Sequence, residues 1–159
     1  MAPRLAALTV AVAAALALAG GAAAALSLAL GTAPSFGVTL DGTDQTPAFS
    51  FTMTVTGGTN SGWNITASAT QFTASGHTLN APTVTSVAFD SCSGSGCTPT
   101  NSVTWPVALT GTAQKIYNAA RNTGKGTVHL TTNLTMSVPG NAFAGSYAST
   151  LTLAIATGP

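Results

Sequence analysis

Glutamate is absent from this 159-residue chain, and charge of either sign is scarce, with only three Asp and four Lys or Arg. A glycoside hydrolase working with paired carboxylates would have to recruit two of Asp41, Asp44 and Asp90, which lie in no motif that serves such chemistry. Net charge near zero excludes electrostatic capture of nucleic acid or anionic membrane by the domain as a whole. Histidine is limited to His77 and His129, whose spacing from the two cysteines fits no zinc module, so no metal is expected. Serines are plentiful, yet none lies in a G-x-S-x-G elbow or comparable context. These shortages exclude the common enzyme classes, and neither a catalytic residue nor a cofactor is expected.

Long apolar stretches are missing too, apart from one. Residues 5–19 (LAALTVAVAAALALA) follow Arg4 and run into GGAAAA at 20–25. A positive n-region, an apolar h-region and a small-residue cleavage site predict a secretory signal peptide over residues 1–25. The rival is a membrane anchor, since the apolar run reaches Leu30. Gly20-Gly21 interrupts that run, and Leu26, Leu28 and Leu30 then alternate with Ser27 and Ala29, which is strand spacing. Cleavage after Ala24 or Ala25 is therefore expected, leaving no stable membrane span and one secreted domain over 26–159.

What that domain has in abundance is threonine, 27 residues of it from position 26 onward. Threonine is β-branched and suits exposed strand faces. Period-2 alternation runs through Phe36–Leu40, Phe49–Val55, Trp63–Ala69, Val128–Val138 and Tyr147–Ile155, with weaker runs at Val84–Phe89 and Val103–Val107. About nine short strands separated by turn signals predict an all-β, antiparallel β-sandwich. Pro106 cannot donate to a ladder, which places its strand at an edge. Cys92 and Cys97, in SCSGSGC, read as one local disulfide of an exported protein. Residues 113–126 (AQKIYNAARNTGKG) break the alternation; a helical turn at Ile116–Ala120 and an exposed crossover are expected there.

GWNITASATQF (62–72), with TLNAPTVTSV (78–87) after a turn, is similar to the first characteristic stretch of WxL-domain proteins. LTMSVPGNAFAGSYASTLTLAIATGP (134–159) resembles their C-terminal stretch, and KIYNAARNTGKGTVHL (115–130) resembles the segment before it in actinobacterial members. The resemblance implies a secreted β-rich module of Gram-positive type that attaches without covalent linkage to the cell wall through peptidoglycan. The first Trp-x-Leu motif reads Trp63-Asn64-Ile65 here. The second reads Leu151-Thr152-Leu153, without its tryptophan.

Candidate binding residues follow from chemistry. Trp63 and Trp105 offer flat faces for sugar rings, although both are in phase with the apolar side of their strands, which equally predicts core packing. Lys115, Arg121 and Lys125 are the cations of the domain, and with no carboxylate in their segment they suit peptidoglycan or an anionic wall polymer. The neighbouring glycines would add backbone N–H groups in a nest. Asp41 and Asp44 read either as two calcium ligands or as a D-G-T-D turn. Other surface proteins are expected partners, and strand addition into a fibre or coat, with a homo-oligomer as its product, is the alternative function.

Overall fold

The computed structural model describes residues 4–14, as backbone, and residues 25–159; residues 1–3 and 15–24 of the expected signal peptide lie outside the described residues, while residues 4–14 of it form the first strand. Twelve strands follow in order: β1 (Arg4–Ala14), β2 (Ser27–Leu30), β3 (Ser35–Leu40), β4 (Ala48–Gly58), β5 (Trp63–Ala69), β6 (Phe72–Ala74), β7 (His77–Leu79), β8 (Thr83–Ser93), β9 (Val107–Ala108), β10 (Gln114–Ala119), β11 (Gly126–Thr135) and β12 (Ser146–Thr157). One sheet has the order β10-β5-β12-β1-β3, with β6 beside β12 and β7 beside β6. The other has the order β2-β4-β11-β8-β9. Pairing is antiparallel throughout, save that β1 runs parallel to β12. No helix forms among the described residues, and so none is long and apolar enough to cross a membrane.

One-sided burial is what writes the alternation into the sequence. Along β5, Trp63, Ile65, Ala67 and Ala69 are buried while Asn64, Thr66 and Ser68 are half-exposed. Along β11, Val128, Leu130, Thr132 and Leu134 point inward, and along β12 Tyr147, Ser149, Leu151 and Leu153 do so. These faces, with Phe51, Met53 and Val55 of β4, make one apolar cluster between the two sheets. The hydroxyls of Thr52, Thr54, Thr56 and Thr131 lie on the outer side, where threonine covers a pleated surface at no charge cost.

Departures from strict alternation coincide with bulges. Val84 and Val87 are three apart yet both buried, because the β8–β11 register shifts between Val84 and Ser86, and Thr85 Oγ1 donates to the Asn133 carbonyl instead (3.2 Å). The segment expected as a helical turn is strand β10, with a register shift between Lys115 and Tyr117 that buries both Ile116 and Tyr117. The bulge takes the Ile116 carbonyl out of the ladder, and the Trp105 indole N–H donates to it (3.1 Å). Thus Ile116–Ala119 belong to the core, and the exposed crossover shrinks to residues 120–125. The run expected as a strand from Val103 is paired only at Val107–Ala108, at the sheet edge that Pro106 suggests. Upstream, the backbone is tied sideways: Ser102 N–H donates to Asn118 Oδ1 (2.9 Å), and Asn101 Oδ1 accepts from the Asn118 N–H (3.1 Å).

The two ends of the sandwich differ. At one, the β4–β5 turn, the Cys92–Cys97 disulfide loop, residues 120–125 and Gly158 converge around Trp63. Trp63 is 0% exposed, and its indole N–H donates to the Gly124 carbonyl (2.7 Å). Gly124 has φ +62°, and a Cβ there would stand 2.8 Å from Trp63 Nε1. At the other end, the Asp41–Asp44 turn closes β3 onto β4. Asp41 Oδ1 accepts from the Thr43 N–H (2.9 Å), the Thr43 hydroxyl (2.7 Å) and Gln45 Nε2 (3.1 Å). Asp44 Oδ1 accepts from the Gly140 N–H (2.8 Å), tying the turn to the β11–β12 connection.

Gly124→Ala forces both a left-handed backbone and a clash against Trp63, so thermal or denaturant unfolding should show a loss of about 1–3 kcal/mol; wild-type stability would contradict the close approach. The Thr43 hydroxyl and N–H hold the Asp41 carboxyl well below its usual range, at about 2. Because the folded value is depressed, the stability linked to Asp41 is fully present above about 3.8 and is lost as pH falls toward about 2. An NMR titration of Asp41 should show that low midpoint, and Thr43→Ala should move it upward; an unmoved midpoint would contradict the assigned cause.

Candidate functional site

The end around Trp63 gathers the disulfide loop and two of the three candidate cations. Residues 120–125 are stitched to their neighbours by backbone bonds. Asn122 N–H donates to Asn60 O (2.9 Å), Thr123 N–H to Ala120 O (3.1 Å), Gly124 N–H to Thr98 O (3.4 Å) and Lys125 N–H to Gly96 O (3.1 Å). Gly62 N–H donates to Thr59 O (3.3 Å), and Gly158 N–H to Gly62 O (3.0 Å), which adds the β4–β5 turn and the end of β12 to the same platform. Asn64 Nδ2 reaches the Gly158 carbonyl as well (2.8 Å).

That stitching decides what the platform can do. Four successive N–H groups, from Asn122 to Lys125, are already given to protein carbonyls, so the expected anion nest is not formed there. Anions must be met by side chains. Arg121 is exposed, and Lys125 is half-buried with its aliphatic stem beside Gly96 of the disulfide loop. Lys115 stands apart from them. It lies on β10 opposite Thr66, four residues before Ala119, or about 13 Å along the strand. The three cations therefore do not form one cluster: two crown the end of the sandwich and one lies along a sheet edge.

Trp63 presents no face to solvent, so direct stacking of a sugar on it is corrected to a role in the core. It packs beside Tyr117, with ring centroids 5.9 Å apart, and Tyr117 in turn packs beside Trp105 at 6.3 Å. Burial pushes the Tyr117 hydroxyl up from its ordinary value. Trp105 is half-buried with its N–H committed to Ile116 O, which leaves only part of its ring outside. The strands bearing the two Trp-x-Leu-like triplets are direct neighbours. Ile155 pairs with Ile65 and Thr157 with Trp63, while Leu151 and Leu153 are buried alongside Ala69 and Ala67. Leucine at 151 fills an inward position, which is what a core-facing strand needs there.

Asp41 spends its carboxylate on the turn itself and Asp44 on Gly140 of the β11–β12 connection, and among the described residues no three His, Cys, Asp or Glu side chains gather as metal ligands. Asp90 accepts from the Thr131 hydroxyl (2.7 Å) on the outer face of the five-stranded sheet. A feature absent from the sequence reading lies at the far end: Phe143 is 61% exposed and stacks on His77, with centroids 3.7 Å apart and planes within 13°. The Tyr147 hydroxyl donates to the Phe143 carbonyl (3.1 Å), which fixes the loop that displays it. The available signal was Phe143 in PGNAFAGS, a large aromatic among small residues and outside any alternating run.

No curated protein matches the chain. A family model described as the WxL domain, surface cell wall-binding, matches residues 31–159 and so takes in strands β3 to β12, the disulfide loop and both ends of the sandwich. The chain belongs to the WxL domain family, and it is accordingly a secreted, cell-wall-associated domain of the surface-binding kind.

Proposed function

We propose that this domain, after removal of its signal peptide, holds the cell wall by the Trp63 end of the sandwich, acting without catalysis on peptidoglycan or the anionic polymer attached to it. The observation that carries this reading is the fixed presentation of Arg121 and Lys125 on a loop clamped by the Trp63 indole and by the disulfide loop. No acidic residue occurs in the three segments that build that end, 57–62, 93–100 and 120–126. The same segments supply Thr59, Asn60, Ser61, Ser95, Thr98, Thr100 and Asn122, whose hydroxyls and amides suit sugar hydroxyls. Cations at the centre and hydrogen-bonding groups around them match a saccharide chain bearing carboxylates or phosphates. Lys115 adds long-range attraction from the flank.

A second contact is favoured by Phe143. An exposed phenyl ring backed by the His77 imidazole offers a flat apolar face to a sugar ring. It stands at the opposite end of the strands, roughly 30–40 Å away by strand length. Contact at both ends would let one domain bridge two wall strands.

Arg121→Glu with Lys125→Glu should reduce co-sedimentation with isolated walls by roughly three- to tenfold, in line with about 1 kcal/mol for exposed charge contacts. Raised salt should produce a similar loss in the wild type, because these charges are open to screening. Lys115→Glu should have a smaller effect, and unchanged sedimentation of the double variant would overturn the assignment. Phe143→Ala should weaken wall binding about two- to tenfold without lowering the melting temperature; loss of stability with unaltered binding would make it a structural residue.

A further inference from the structure

Strands β12 and β3 belong to one sheet but never pair with each other. Between them lies β1, parallel to β12 from Ala7↔Ser146 to Ala14↔Leu153 and antiparallel to β3 from Arg4↔Leu40 to Thr9↔Ser35. Taking β1 away leaves a gap of two strand spacings, about 9.5 Å. Both walls of that gap are held by other contacts. β12 pairs with β5 along Leu151–Thr157 and with β6 at Ala148. β3 is fastened to the opposite sheet by the Phe36–Phe49 stack (centroids 4.6 Å apart) and to the turn that follows it by Gln45 Nε2 donating to the Thr39 carbonyl (2.7 Å).

Residues 4–14 also lie within the segment read above as a removable signal peptide, and the inference rests on that reading. Its removal exposes two facing rows of unpaired N–H and C=O groups at the rim of the core, an arrangement that costs free energy until another strand satisfies it. We propose that the secreted form binds an extended, uncharged segment of another surface protein as a strand between β12 and β3, parallel to β12, in the place that β1 occupies in the full chain.

The slot defines the chemistry of its occupant. Its walls, SYASTLTL (146–153) and SFGVTL (35–40), carry no charge. Positions 8, 10, 12 and 14 of β1 fall in register with the buried Tyr147, Ser149, Leu151 and Leu153, and positions 6 and 8 with Val38 and Phe36. Those even positions read Ala6, Leu8, Val10, Val12 and Ala14; Ala7, Thr9, Ala11 and Ala13 fall between them. A fitting segment thus places aliphatic residues at every second position, with small ones between. The occupant is a different protein and not a second copy, because the alternating runs of residues 26–159 long enough to fill the slot, Phe49–Val55, Trp63–Ala69, Val128–Leu134 and Tyr147–Ile155, already serve as strands of their own fold.

The test uses the full chain with a specific protease site inserted within residues 15–24, folded first and then cut. Native mass spectrometry should find the cut strand still bound, and a labelled synthetic peptide of residues 5–14 should exchange into its place. Hydrogen exchange should then show protection of the slot-facing amides, those of Tyr147, Ser149, Leu151 and Leu153 and the alternate ones of residues 35–40 that face β1, only while peptide is bound. N-methylation of the peptide at Val10 removes a ladder donor and should weaken binding at least tenfold. A cut domain that unfolds when the strand leaves and refolds on adding peptide also supports the slot, whereas failure to refold overturns it. Protection of the slot-facing amides of Tyr147, Ser149, Leu151 and Leu153 in the empty domain, or equal binding of the methylated peptide, likewise overturns it. Dimers or filaments dispersed by the peptide would assign the slot to a second copy and overturn the external partner. Wall-extracted protein whose N-terminus is Met1 would contradict the removal on which the proposal rests, a result read separately from peptide exchange and from wall sedimentation.

Discussion

Trp63 is sealed inside the sandwich with one polar atom, and that atom has to be satisfied there. A buried, unpaired indole N–H would cost about 1–3 kcal/mol, and the carbonyl of Gly124 answers it at 2.7 Å. Much of the surrounding architecture follows from this bond. The loop after β10 must pass directly over the ring, so residue 124 can carry no side chain. Once placed, the loop donates its N–H groups to Thr98, Gly96 and Asn60, and so captures the disulfide loop and the β4–β5 turn. Arg121 and Lys125 are carried on a loop whose backbone is bonded at Ala120 and from Asn122 to Lys125. The tryptophan of the first Trp-x-Leu-like triplet thereby shapes the surface from within.

The same logic explains why the second triplet tolerates leucine. β12 pairs with β5, and Leu151 faces the core at the level of Ala69, far along the strand from the loops that Trp63 organises. Apolar volume is the requirement, and Leu151 and Leu153 meet it. The few charges are largely separated: the carboxylates of Asp41 and Asp44 are occupied at one end, Arg121 and Lys125 stand at the other and Lys115 along the β10 edge, while Asp90, on β8, takes the Thr131 hydroxyl on the outer face. Such separation is what would orient a near-neutral module toward an anionic surface, as proposed, without making it broadly adhesive.

How much of this was readable beforehand depended on whether a residue's fate was local. One-sided burial of Trp63–Ala69, Val128–Leu134 and Tyr147–Leu153 repeats at period two, and the sandwich follows from it. The Cys92–Cys97 bridge was legible for the same reason, since both partners sit in one short loop. β10 was misread because a bulge buries Ile116 and Tyr117 consecutively, which mimics helical spacing; only the pairing with β5, some fifty residues away, reveals it. The anion nest failed on equally distant grounds, as its N–H groups are consumed by carbonyls from other loops. Phe143 went unseen because its significance is its stacking on His77, contributed by a hairpin remote in sequence. Fold class was written in the chain's local pattern, while the surface was settled by contacts between segments.

The central claim is that Trp63 builds the wall-binding end without touching the wall. Solution NMR with soluble wall fragments tests it most directly. The account predicts that the backbone amides of residues 120–126 and the Arg121 side chain shift on titration, while the Trp63 indole proton stays slow to exchange and shows no intermolecular NOE to the saccharide. An NOE between the saccharide and the Trp63 ring, or a rapidly exchanging indole proton in the free domain, would contradict it.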